Sequence, residues 1–308
     1  MIRSGTTLIE VLVAIFVTAL GLLGILALFP LGAVSMAQAI KDSRCTQASA
    51  NAFALAEALN IRNDPSVIGN PDVFVNQGSI PPANLDGPSY PVFVDPIGLL
   101  VGKTFLPDGV PQQLAIPRRN VSVVQNASTP SKAAVRWFTL LDDLNFPKDS
   151  PVFVDRVVPQ REGRYSWAYM LRRPRSSNHS IVDLTVVVYS GRPNVFGQGE
   201  TAYTPVTFDP TRNTVRVTWG AGQEKPAVRA GAWILDATKV SKVGTTLVPD
   251  PHGFFYRVVN VGEQGVQNGM NYVDLELQTR PKQATDQGVL VVLDGVAEVF
   301  EKGPGWRP

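Results

Sequence analysis

Residues 4–33 read "SGTTLIEVLVAIFVTALGLLGILALFPLGA", and this stretch decides the fold. From Val11 to Phe29 it carries no charge. At about 1.5 Å of rise per residue, a helix of that length spans a hydrocarbon core of about 30 Å. Leucine, isoleucine and valine dominate, which suits a membrane helix better than a soluble core helix. The positive charge ahead of the run is Arg3, with the amino terminus. By the positive-inside rule, the chain beyond the run then lies outside the cytoplasm. An ordinary secretory signal peptide fits less well, although "LGA" at Leu31–Ala33 offers small residues for a cut. The basic region is almost absent and the apolar run is long.

Glu10 places a carboxylate in the first turn of this helix. Such a charge costs about 2.5–3.5 kcal/mol at the membrane centre and less near the interface. A cut between Gly5 and Thr6 would create an α-amino group on Thr6, one helical turn from Glu10. The two charges can then pair within the chain or between chains. A negative charge near a helix start is also favoured by the helix dipole. The plain alternative is a glutamate reaching to the membrane interface.

These residues carry a family resemblance. "SGTTLIEVLVAIF" resembles the class III signal of type IV pilins and type II secretion pseudopilins, and "GLLGILALFPLGA" resembles the minor-pilin branch. The resemblance implies cleavage after Gly5 by prepilin peptidase, leaving residues 1–5 as the leader. It implies that Glu10, the fifth mature residue, docks on a neighbouring subunit's amine. It also implies other pilins or pseudopilins, an inner-membrane assembly platform and membrane lipid as partners. Two departures limit it. Thr6 stands where the family usually has phenylalanine or methionine, so cleavage carries over more firmly than N-methylation of Thr6. The C-terminal disulfide of many pilins is absent, because Cys45 is the single cysteine. The resemblance covers about the first sixty residues.

Pro30 and Gly32 are the expected site of a kink just beyond the membrane, since proline removes a helical hydrogen bond. The expected spans are a helix over 6–62, with a transmembrane part over about 8–31 and an amphipathic part after it. Cys45, Ala48, Ala52, Leu55 and Leu59 recur at spacings of three and four, with Ser43, Gln47, Asn51 and Glu57 on other faces. The helix should end near Asn60–Asp64, before Pro65. Cys45 reads as a small packed residue.

The chain has 308 residues, a formal net charge of +2 and 44% hydrophobic residues. It is long enough for a sizeable core, and the charge gives no indication of nucleic acid as a partner. "RRPR" at 172–175 reads as a solvated turn. His179 and His252 are far apart, and nothing in the sequence identifies a carboxylate to join either in a zinc site.

Residues 63–150 read as an irregular mixed part of the head. Strands are expected at "YPVFVDP" (90–96) and "NVSVV" (120–124), and a short helix at "AVRWFTLLDDL" (134–144). Residues 151–308 read as an antiparallel β domain. Eight β-branched and aromatic runs, from "PVFVDRVV" to "GVLVVLDGVAEVFE", are separated by Gly, Pro, Asn and Asp clusters. A sheet, sandwich or barrel would satisfy them. The row Tyr165, Trp167, Tyr169 reads as core packing, with a sugar-binding platform as the alternative. The expected class is therefore α+β: a long N-terminal helix packed on a large antiparallel β-rich domain.

No GxSxG, HExxH, P-loop or dinucleotide motif is present, and neither an enzyme nor a cofactor is expected. "DDLNFPKDS" gathers Asp142, Asp143, Asn145 and Asp149, a weak calcium candidate in a family where some heads hold structural calcium. Its spacing does not match an EF-hand, and a polar turn is the better reading. The expected function is a structural subunit, of the minor class, in a type IV pilus or type II pseudopilus. It would be anchored once in the bacterial inner membrane with its head outside the cytoplasm. The alternative is a membrane-anchored extracytoplasmic β-domain protein with a binding role, carbohydrate included, or an enzymatic one.

Overall fold

The first element, α1, runs unbroken from Leu8 to Ala58. The computed structural model describes residues 8–68, 91–107, 115–140, 144–145, 160–161, 164–173, 181–192, 199–220, 222, 225–243 and 246–303. Alanine and leucine supply helix propensity along α1. Pro30 lies inside it, and Gly32 follows without ending the element. The chain divides into two units, residues 1–47 and 48–308. In the first unit the apolar side chains of α1 are uncovered, from Leu8 at 80% exposure to Phe29 at 77%. Among the described residues this is the one helix long and apolar enough to cross a membrane.

From Ala48 onward the same helix belongs to the head. Ala48, Ala52 and Ala56 are fully buried, while Asn51 and Glu57 are exposed. Small side chains bring the helix backbone close enough for the buried Tyr169 hydroxyl to donate to the Ala52 carbonyl at 2.6 Å. Asn60 then turns left-handed (φ 47°, ψ 50°), a conformation asparagine tolerates, and stops the helix. A short 3-10 turn, Ile61–Asn63, leads to α2, Pro65–Ile68.

Next come β1 (Val92–Val94), α3 (Pro96–Leu100), β2 (Phe105–Leu106) and β3 (Ile116–Arg119). They are followed by α4 (Ser122–Gln125) and α5 (Pro130–Phe138). The strand expected at 120–124 is therefore a helical turn. Its amides are taken by side chains: Val121 N donates to Asn120 Oδ1 at 2.9 Å, and Ser122 N to Asp64 Oδ2 at 2.8 Å. The helix expected over 134–144 begins earlier, with Pro130 in its first turn, and ends at Phe138. Thr139 is extended and bridges to Ser166.

The strands continue with β4 (Leu144–Asn145), β5 (Gln160–Arg161), β6 (Tyr165–Arg172) and β7 (Asp183–Ser190). After them lie β8 (Glu200–Asp209), β9 (Thr214–Trp219), β10 (Trp233–Asp236), β11 (Val240–Val243) and β12 (Thr246–Pro249). The last five are β13 (Phe254–Val261), β14 (Gly265–Gln267), β15 (Met270–Leu277), β16 (Thr285–Leu293) and β17 (Val296–Gly303). The final sequence run is two strands, because Asp294–Gly295 forms a two-residue turn with Gly295 at φ +79°. The run at 151–158 lies outside the described residues.

Two larger sheets result. The first has the order β17-β7-β6-β1-β3-β2. Its β1 and β3 run parallel, where only antiparallel pairing is expected from the sequence. Strands from both sides of residue 150 share this sheet, so that position does not divide the head. The second sheet closes on itself, because β13 pairs with β10 on one side and β15 on the other. The six strands β10, β16, β8, β9, β15 and β13 thus form an antiparallel barrel.

The side-chain alternation shows how the two are stacked. Ile234, Phe254, Tyr256, Val258 and Leu290 fill the barrel with Val215, Val217 and Trp219. Their strand neighbours Leu235, Phe255, Val289 and Val291 point outward and pack with Ala168, Met170 and Val187 of the first sheet. Strands β10, β13 and β16 are therefore apolar on both faces, which explains continuous runs such as "WIL" and "VLVVL". The other face of β6 carries Tyr165, Trp167 and Tyr169, at 7%, 3% and 0% exposure. Phe138 meets the Tyr169 ring edge-on at 5.9 Å. These aromatics are core, and a sugar platform at this row is ruled out by their burial.

Candidate functional site

The described residues that carry the family resemblance lie in α1, which begins at Leu8. Gly5 and Thr6 lie outside the described residues. Glu10 occupies the first turn of α1 and is exposed, between Ile9 at 72% and Val11 at 49% exposure. The chemistry available here is a carboxylate at the N-terminal end of a continuous apolar rod. In the weak calcium candidate, Asp142, Asp143 and Asp149 lie outside the described residues. Asn145 lies in β4 and is paired with Gln160.

Two clusters in the head do not stand out in the sequence. The first surrounds Asp95, the residue that caps α3 by accepting from Gly98 N at 3.0 Å. Arg192 grips it with both terminal nitrogens, at 2.6 and 2.5 Å. Arg118 pairs with it from β3 and also reaches Glu200 at 2.7 Å. Lys103 holds the same Glu200 oxygen at 3.2 Å. All five side chains are at most 6% exposed. Burial pushes the Asp95 carboxyl up, but the Arg192 and then the Arg118 charges override it and hold the group well below the usual carboxylate range. Gly98 leaves room for the network, since a Cβ there would meet the Asp95 carboxylate and the Arg118 guanidinium and force them to shift. The network ties β1, β3 and the end of β7 in one sheet to the first residue of β8 in the barrel.

The second cluster closes the base of the β11–β12 ribbon. His252 Nδ1 lies 2.6 Å from Asp236 Oδ2, and Nε2 lies 3.3 Å from Asp250 Oδ2. The second contact is an ion pair poorly aligned for a hydrogen bond. Burial alone would lower the His252 pKa, but the hydrogen bond to Asp236 and the charges of the two carboxylates raise it to about 9. Asp236 also accepts from the Thr238 hydroxyl at 2.6 Å, and that oxygen accepts from Val289 N in β16. Nearby, Lys239 donates to the Ala115 carbonyl at 3.1 Å, and burial lowers its pKa to about 8.

The first cluster joins chain segments far apart in sequence, and the second ties the base of the β11–β12 ribbon to β16; most of their polar atoms are directed at one another, while Arg118 Nε, Glu200 Oε2 and His252 Nε2 find no hydrogen-bond partner among the described residues. Both clusters serve to hold the head together. A signal is present for each: a charged residue inside an apolar strand run, as in "VFVDP" and "WILD", has to meet a partner when buried. The identity of that partner is not readable from the run itself. Compared with known protein families, characterised proteins and solved structures, the chain matches none of them.

Proposed function

We propose that this chain is a structural subunit, of the minor class, in a type IV pilus or type II secretion pseudopilus. The observation that carries the reading is the spacing of Gly5 and Glu10 ahead of an uncovered apolar helix that continues into the head. Prepilin peptidase cuts after Gly5 and leaves an α-amino group on Thr6. The chain waits in the inner membrane with its head outside the cytoplasm. The assembly platform then moves it into a bundle of N-terminal helices.

The physical role of Glu10 comes from that bundle. Packing helices around it removes water, and a charge moved out of water needs a partner. A neighbour's terminal amine supplies one, so register between subunits is set by charge, and cohesion by apolar contact along residues 11–29. Pro30 and Gly32 allow the helix to adjust where it leaves the membrane. The amphipathic part then lies on the head through Ala48, Ala52 and Ala56.

Intact mass of the chain from a host with prepilin peptidase tests this directly. Loss of residues 1–5 is expected, with the leader retained in Gly5→Val. A mature chain beginning near Val34 would mean ordinary signal peptidase and would overturn the proposal.

A further inference from the structure

The outward face of the barrel is covered only in part. Strands β10, β13 and β16 face the first sheet, whereas β8, β9 and β15 turn a polar face outward. There the strands form a cleft of about 610 Å³, within the usual range for small-ligand sites. Its floor is three cross-strand rows. Pro205, Thr218 and Tyr272 form one, Thr207, Arg216 and Asp274 the next, and Asp209 with Thr214 the third, whose far partner Glu276 lies beyond the lining.

Arg216 is the centre of the floor. It donates from Nε and Nη2 to the two Asp274 oxygens, both at 2.7 Å, and from Nη1 to Gln267 at 2.9 Å. Its guanidinium lies 4.3 Å from the centre of the Tyr272 ring. The pair remains 36% and 38% exposed, so donors and carboxylate lone pairs still face the cleft. At the rim, Arg212 pairs with Asp209 at 3.7 Å. The strands hold these groups at fixed spacing, which lowers the cost of ordering them around a ligand.

From this arrangement we infer that the cleft binds a neutral oligosaccharide. Two arginines face two aspartates, so the lining has no net charge to select an anion or a cation. Arg216 is already held by a fork of carboxylate oxygens, which leaves it poorly placed to grip a phosphate. The ladder consumes the strand backbones, so an extended peptide finds no edge to pair with here. What the cleft offers is alternating donors and acceptors: threonine hydroxyls, a carboxylate, a guanidinium and the Gln267 amide. A sugar hydroxyl both donates and accepts, and matches such a surface group by group. The inference is independent of the pilus reading, since it concerns only the head.

The test uses the full chain in a zwitterionic detergent without a sugar headgroup, applied to an array of immobilised neutral and acidic oligosaccharides. Retention on neutral glycans is expected. Arg216→Ala, which removes the central donor, and Thr207→Trp, which fills the cleft without removing either member of the ion pair, should each weaken it about tenfold or more. Lys132→Ala, on the exposed side of α5, should not change it. Retention on acidic glycans alone would overturn the inference. So would the absence of any neutral glycan signal, or neutral binding that survives both cleft variants.

Discussion

Replacing Asp95 with alanine should destabilise the head more than almost any other single change. The substitution removes a fully buried carboxylate and leaves Arg118 and Arg192 in place, at 0% and 6% side-chain exposure. Glu200 is then the remaining carboxylate facing Arg118, Arg192 and Lys103. Breaking a buried pair in this way costs about 3–5 kcal/mol, a large part of the roughly 5–15 kcal/mol that holds an ordinary domain together. Asp95→Asn keeps the size of the side chain and an acceptor for Gly98 N, so it separates charge from shape. It should lose nearly as much. Urea unfolding of the detergent-solubilised chain at pH 7, followed by tryptophan fluorescence, measures both variants, because Trp167 and Trp219 are buried in the core. Since the folded-state pKa of Asp95 is depressed, its contribution is present above the unfolded value of about 3.9 and is lost as pH falls through the folded value. The wild type should therefore lose this part of its stability progressively as pH falls below about 4, a dependence that Asp95→Asn lacks. A loss below about 1 kcal/mol in Asp95→Ala would refute the reasoning, because it would place the network in contact with water.

The His252 clamp predicts the opposite pH dependence. Its folded pKa of about 9 lies above the ordinary value of 6.5, so its contribution is full below 6.5 and is lost as pH rises through 9. It amounts to about 3 kcal/mol at most. Urea midpoints taken from pH 6 to 10 should fall for the wild type and stay flatter for His252→Gln; parallel curves would show that the histidine is not charged in the folded state. In the proposed assembly, Glu10→Leu should leave membrane insertion intact but abolish incorporation into filaments, as a neighbour's buried amine loses about 3–5 kcal/mol of compensation. Normal incorporation of that variant, measured beside the wild type, would make Glu10 an interfacial residue only.

Local pattern is enough to read the long helix and most of the strands. An apolar run from Val11 to Phe29, alanine-rich turns up to Ala58 and a proline at 65 are each written within a few residues of where they act. The β-branched runs of β6, β7, β9, β13 and β16 are equally local. Strand β8 does not stand out, because four of the ten residues of "ETAYTPVTFD" are threonine or proline and its buried apolar residues are only Val206 and Phe208. Its place in the sheet comes from β9 and β16 on either side. Other features depend on which segments meet, and no short window contains that. The barrel exists because β13 pairs at both edges. Tyr165, Trp167 and Tyr169 are core because α5 and the end of α1 cover them. Asp95 reaches Arg192 across 97 positions, and Arg118 reaches Glu200 across 82. A buried charge announces that it needs a partner, but the choice of partner is made by the stacking of sheet on barrel. The cleft is likewise decided by that stacking, since β8, β9 and β15 are the barrel strands whose outer face the first sheet leaves to water.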